Sequence, residues 1–208
     1  MGRKPIVKTR SRNENKRERW IAACMDYFSE KGIRDVTMDD VAGILNISKA
    51  TIYNHFKSKD EMVMTAIAIQ LGELKGYEAF FSDTSLPYLE RYYKAMTFYG
   101  EKMLAVSSIL IRDVKEVYPE LWGHVEMFRN HFNFVAIKYY QEGIDRGFIF
   151  NEIDLNVLVA TDRWFLESLA ETDFLEKSNL SFAEAFKNFF RIKFDGILKS
   201  KLLDINVV

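Results

Sequence analysis

The sequence has one cysteine, three prolines and ten glycines in 208 residues. A lone cysteine can build neither an intrachain disulfide framework nor a multi-cysteine metal site. It suits a reducing cytosol, so a cytoplasmic location is expected. Average usage would give about 25 glycines and prolines together in a chain of this length. So few breakers, with no alternating apolar–polar runs and no Asn-Gly hairpin signal, predict an all-helical fold. No apolar run approaches the ~20 residues of a membrane span. The charged N-terminal segment lacks the apolar stretch of a signal peptide. Paired-carboxylate motifs, Gly-rich phosphate loops and a Ser-His-Asp ordering are missing too, so no enzyme and no cofactor are expected. His124 and His131 stand two helical turns apart, too far to share a metal ion without a third element, so no metal site is expected.

Hydrophobic residues make up 48% of the chain and aromatics 14%, enough for a real core. The net charge of −1 hides an asymmetry. Residues 1–20 hold eight Lys/Arg and two Glu; residues 1–61 hold 13 basic and 9 acidic groups, and residues 62–208 hold 16 and 21. A basic head on an acidic body is the footprint of a polyanion-binding head.

Residues 1–12 carry no periodicity and read as a flexible basic arm. A first helix is predicted over 13–31, with Trp20, Ile21, Cys24, Tyr27 and Phe28 on its apolar face and Gly32 as its stop. Cys24 on that face reads as a core thiol. Thr37 with Asp40 makes a capping box for a second helix over 38–45. Asn46 stands where the chain must turn and tolerates a left-handed backbone. Ser48 caps a short third helix over 49–56. Ser58 with Glu61 reads as a second capping box, opening a long helix over 59–81. Further helices are expected over 87–105, 107–117, 119–146, 155–172 and 181–203. Asp154 caps the penultimate one, and Ser181 with Glu184 makes a third box for the last.

Two helices joined by about three residues, the second short and polar on one face, form a helix-turn-helix pattern. Val41, Ala42, Leu45, Ile47 and Ile52 face inward, and Ala42 is small where the helices cross. Lys49, Thr51, Tyr53, Asn54 and His55 are left outside. Eight helical residues span ~12 Å, about the width of a B-DNA major groove. Asn pairs bidentately with adenine, Lys donates to guanine, and a Thr methyl meets a thymine methyl. Tyr, Ser and backbone amides hold phosphates.

Over about 13–66 the chain resembles the tetracycline-repressor-like (TetR) regulators. The likeness is carried by Thr37, Val41-Ala42, Leu45, Ile47-Ser48, Thr51-Ile52-Tyr53, His55-Phe56 and Lys57-Ser58-Lys59. Asn46 and Ala50 stand where the family often has Gly; the backbone tolerance of the first and the small size of the second suit both positions. The resemblance implies that Thr37 and Lys59 hold phosphates. It also implies that Ser48, Lys49, Thr51, Tyr53, Asn54 and His55 supply base and phosphate contacts, with a structural role for His55 equally open. Arg10, Arg12, Lys16 and Arg17 would reach the backbone or the minor groove.

Beyond residue 61 the likeness is architectural: Gly147-Phe148-Ile149 and Ile153-Asp154-Leu155 match the family's link into its last two helices. It implies a basic arm and DNA-binding domain over 1–61, with the helix-turn-helix at about 37–56, and an effector-binding and dimerisation domain over 62–208. A homodimer would form through the last two helices, about 155–172 and 181–203. The residues agree: 155–160 is nearly apolar all round, and the last helix carries a wide stripe from Phe182 through Phe186, Phe189, Phe190 and Phe194. The implied effector pocket would be lined by Met96, Tyr99, Met103, Trp122, Phe128, Phe132, Trp164 and Glu167, which suits a hydrophobic or amphipathic small molecule. Plain core is the competing role for these residues. The function expected is a sequence-specific, ligand-relieved repressor binding a pseudo-palindromic operator as a dimer. The rival is an architectural, chromosome-organising DNA-binding protein of the same fold without an effector.

Overall fold

The computed structural model describes residues 7–171 and 173–196, with side chains described for 16–170 and 173–196. Among the described residues all regular structure is helical: α1 (Val7–Lys31), α2 (Met38–Leu45), α3 (Lys49–Tyr53), α4 (Lys59–Leu74), α5 (Tyr77–Ser82), α6 (Tyr88–Leu104), α7 (Ser108–Val117), α8 (Pro119–Asp145), α9 (Leu155–Glu171), α10 (Phe174–Ser178) and α11 (Phe182–Phe194). An N-terminal helix-turn-helix stands before a larger helical body.

The helix starts follow the caps. Thr37 and Asp40 close a full capping box on α2, and Ser181 and Glu184 do the same on α11. Asp154 accepts from the Asn156 amide at 2.7 Å at the start of α9. At α4 only half of the expected box forms. Ser58 accepts from the Glu61 amide, but the Glu61 carboxylate turns to the Lys57 amide at 2.7 Å and to Arg17 at 2.9 Å.

Four sequence expectations are corrected. The arm expected over 1–12 is helical from Val7, so α1 gains its first turns from residues 7–12; the side chains of Arg10 and Arg12 lie outside the described set. The third helix stops at Tyr53 rather than Phe56, and Phe56 turns fully into the core. The helix expected over 59–81 breaks between Leu74 and Tyr77, at Gly76, where a Cβ would lie 2.6 Å from the Phe98 ring. The last helix ends at Phe194 rather than residue 203, because Gly196 turns left-handed at φ 77° and donates back to the Arg191 carbonyl at 3.0 Å. Residues 197–203 of that expectation lie outside the described residues.

Two apolar clusters organise the molecule. The head cluster joins Ile21, Cys24 and Phe28 of α1 to Val41, Ile52, Phe56, Met62 and Ala66. Burial pushes the Cys24 thiol up to about 11, as fits a core thiol. This cluster continues into Leu110 and Val114 of α7 and Leu121 of α8, so the head is packed onto the first part of the body. The second cluster is rich in aromatics: Tyr77, Tyr92, Tyr99, Phe132, Tyr140 and Phe186.

A buried polar knot, invisible in the sequence, ties α6, α8, α9 and α11 together. Asp162 is fully buried and accepts from Tyr92 Oη, Tyr140 Oη and Lys193 Nζ, each at 2.5 Å. Lys193 Nζ also donates to the Leu158 carbonyl at 2.9 Å and to Thr161 Oγ1 at 3.0 Å. Burial raises the Asp162 pKa and lowers that of Lys193, and each charge opposes the other's shift.

Candidate nucleic-acid interface and inner cavity

The helix-turn-helix is set by a few backbone facts. Val41 and Ile52 are fully buried and hold α2 and α3 on α1 and α4. Asn46 takes the left-handed conformation at φ 50°, and the Ile47 amide reaches back to the Ala42 carbonyl at 3.1 Å. Both are the C-cap pattern that turns a chain sharply after a helix. Ser48 then accepts from the Thr51 amide at 3.1 Å and starts α3.

With Ile52 turned inward, α3 presents Lys49, Tyr53 and Asn54 to solvent, with Thr51 half-buried beside them. The five residues of α3 span about 8 Å, still within a major groove. Tyr53 is 46% exposed, although a ring of that size is normally covered. Lys49 is held at 2.8 Å by Asp39, so in this state its ammonium is turned back toward α2. The Ser48 and Thr51 hydroxyls share a hydrogen bond of 2.7 Å.

The other expected contact residues divide. Thr37 is exposed and engaged with Asp40 through both its amide and its hydroxyl. Lys59 is half-buried and donates to the carbonyls of Arg34 at 3.0 Å and Val36 at 2.7 Å, so it fastens the α1–α2 connection to the start of α4. His55 lies edge-on against Trp20, and burial, followed by Lys16 and Arg17, lowers its pKa. Lys16 lies over the Trp20 ring at 4.6 Å and Arg17 over Phe56 at 4.5 Å.

The body encloses an apolar chamber of about 80 Å³ among α4, α6, α7 and α8. Tyr99, Met103, Trp122 and Phe128, all anticipated from the sequence, line it. A smaller cavity of about 20 Å³ adjoins it through Tyr99, Met103 and Arg129, and is bounded by Phe132 and Glu167, also anticipated, with Asn133, Arg163 and Leu166. There the Glu167 carboxylate lies 3.8 Å from Arg129 and 3.9 Å from Arg163. Met96 is fully buried in the core and Trp164 is 58% exposed on α9; neither lines these two cavities. Sequence reasoning missed the contributions of Ile67, Leu71 and Leu74 from α4 and of Leu110, Ile111 and Val114 from α7. Their only signal is apolar spacing, which they share with ordinary core residues.

Residues 21–66 match the family described as bacterial regulatory proteins, tetR family. The chain is 26% identical over 112 residues to the uncharacterized HTH-type transcriptional regulator YvaF of Bacillus subtilis, a stretch covering 53% of this chain and 58% of that protein. It thus spans less than two thirds of that relative's length. Solved structures share the fold over more of the molecule. The transcriptional regulator FadR of Bacillus subtilis, determined in complex with stearoyl-CoA, superposes with a TM-score of 0.66 at 14% identity, covering 86% of this chain and 98% of that one. The ketosteroid transcriptional regulator KstR2 of Mycobacterium tuberculosis gives 0.66 at 18% identity, covering 89% and 96%. The matched segment is the one whose caps, left-handed Asn46 and buried Val41 and Ile52 build the helix-turn-helix, so residues 21–66 match the tetR family of bacterial regulatory proteins in both sequence and local structure.

Proposed function

We propose that this protein is a sequence-specific DNA-binding repressor that works as a homodimer and is released by an amphipathic small molecule. The observation that carries the reading is the polar row of α3, held outward because Ile52 is locked into the head core. Asn54 and Lys49 supply base-edge chemistry and Thr51 a methyl group. Tyr53, Ser48, Thr37 and Lys59 lie around them to hold phosphates. On DNA, Lys49 exchanges its 2.8 Å partner Asp39 for the duplex. Residues 1–61 act as the reading head and 62–208 as the effector and dimerisation body.

Dimerisation is supported by apolar side chains on the last long helices. Val157 and Trp164 of α9 and Ile192 of α11 are 57%, 58% and 57% exposed, which is costly for an isolated protomer. A second copy covers them in our reading, placing two α3 helices on an inverted repeat.

The effector reading rests on the joined cavities. An apolar body enters the chamber, and an acidic end competes with Glu167 for Arg129 and Arg163. A regulator of the same fold bound to stearoyl-CoA is consistent with that class. Small-molecule sites usually measure ~300–1,000 Å³, so a ligand must spread walls that now enclose about 80 Å³.

The direct test is fluorescence anisotropy of a labelled duplex titrated with the protein at increasing salt. Affinity should fall linearly on logarithmic axes, with a slope near −0.9 per phosphate contact. Absence of binding at low salt contradicts the reading.

A further inference from the structure

The chamber is connected to the reading head by a short, specific path that does not run along α4. Gly32 ends α1 at φ 77°, and the chain then passes hard against α7: a Cβ at Gly32 would lie 2.2 Å from Asp113 Oδ2. That oxygen accepts the amides of Ile33 at 2.9 Å and Arg34 at 3.1 Å. Asp113 is 4% exposed, so these bonds are shielded from water. Glu116, one turn on, holds Arg34 Nη2 at 2.5 Å. The clamped amides lie three or four residues before Thr37, whose cap starts α2.

The same short helix forms a wall of the chamber. Leu110, Ile111 and Val114 line it, and Leu110 and Val114 bracket Asp113. Leu110 and Val114 are also members of the head's own apolar cluster. A ten-residue helix moves as one piece, because packed interiors transmit strain instead of absorbing it. Displacing Leu110 and Val114 therefore displaces the Asp113 carboxylate, and with it the turn that aims α2 and α3.

We propose that Asp113 is the positioning residue through which occupancy of the chamber is read at the helix-turn-helix. The proposal rests on the reading of the chamber as an effector site, and assigns its coupling to α7. Breaking either side of the path, the wall contacts or the carboxylate–amide bonds, uncouples the two while leaving each intact.

The test uses the full chain and needs no ligand. Val125 lines the chamber from α8, on neither of the helices whose roles are compared, so Val125→Phe fills the space as a built-in occupant. Hydrogen exchange of the Ile33 and Arg34 amides and affinity for a duplex selected by the protein are measured in wild type, in Val125→Phe, and in both with Asp113→Ala. Val125→Phe should accelerate exchange at those two amides and weaken DNA binding by about 5- to 150-fold, the usual range of such couplings. In the Asp113→Ala background the filler should change DNA affinity by less than about twofold while still lowering the melting temperature as it does in wild type. A residue that merely stabilised the fold would leave the filler's effect on DNA intact. Asp113→Asn, which keeps one acceptor oxygen, substitutes if the alanine variant does not fold, and should show a reduced filler effect. An equal filler effect in both backgrounds overturns the proposal. Weakened DNA binding with unchanged exchange at Ile33 and Arg34 overturns the Asp113 route alone. A filler that moves neither quantity overturns the effector-site reading along with it.

Discussion

The His55 ring stands edge-on to Trp20, with centroids 4.8 Å apart and an interplanar angle of 77°. The sequence leaves this histidine open between reading DNA and packing the head; the ring pair favours packing. His55→Ala should cost about 0.5–1.5 kcal/mol, the range for such aromatic pairs, in thermal or denaturant unfolding. His55→Phe should keep the operator preference of the wild type. A changed preference at one base pair would return His55 to the reading set. Because its pKa is lowered, the stability His55 contributes is full above about 6.5 and is lost as pH falls through the folded-state value.

Asn54 is the exposed C-cap residue of α3, and in our reading it meets a base edge. Asn54→Ala should weaken operator binding by ~1–3 kcal/mol and relax discrimination at a single position. Comparing affinities for a panel of single-base operator variants reads this directly, and an unaltered panel removes Asn54 from recognition.

Lys59 spends two of its donors on the Arg34 and Val36 carbonyls. Lys59→Ala leaves both acceptors short of a partner, so unfolding should show a loss of ~1–3 kcal/mol. Its charge faces the DNA side in our reading, so the salt slope of binding should flatten by about one unit. A stability loss with an unaltered slope would confine Lys59 to holding the α1–α2 connection.

The Asp162–Lys193 pair is buried on both sides, with 0% and 6% side-chain exposure. Lys193→Met leaves a carboxylate buried without its cation and should cost ~3–5 kcal/mol in unfolding free energy. Replacing Asp162 with Asn alongside it should recover part of the loss. Additive losses in the double variant would mean that the two groups do not act as a pair.

Glu142 holds the nearly buried Arg91 at 2.8 Å, and hydrogen bonds from Arg91 keep its carboxyl below the usual carboxylate range. A lowered folded-state pKa means stability present above about 4.3 and lost as pH falls through the folded value. Glu142→Gln should therefore flatten the acid limb of the stability curve. An unchanged limb assigns acid sensitivity to other carboxylates.

The head was legible in the sequence because its signals are local. Thr37, Asn46 and Ser48 mark helix ends within a dozen residues, and the spacing of Val41, Ala42, Ile47 and Ile52 marks the side that packs. The boundaries that failed were set by contacts or backbone angles the periodicity does not encode, such as Phe98 against Gly76 and the left-handed Gly196. Most of the chamber lining was missed for a related reason: Leu71 and Val114 are apolar residues on helices that carry several others, and only the packing decides which of those face a void. Asp113 and Asp162 were unreadable because their partners are distant in the chain. The Asp113 carboxylate meets an amide 80 residues away, and Asp162 meets a lysine 31 residues away.

Selection of bound duplexes from a random pool by the purified protein, followed by sequencing, tests the central claim most directly. The account predicts an inverted repeat, with half-sites about one helical turn apart or somewhat more, to match two copies of α3. Recovery of duplexes with no shared sequence would contradict it and leave a DNA-binding protein that does not read bases.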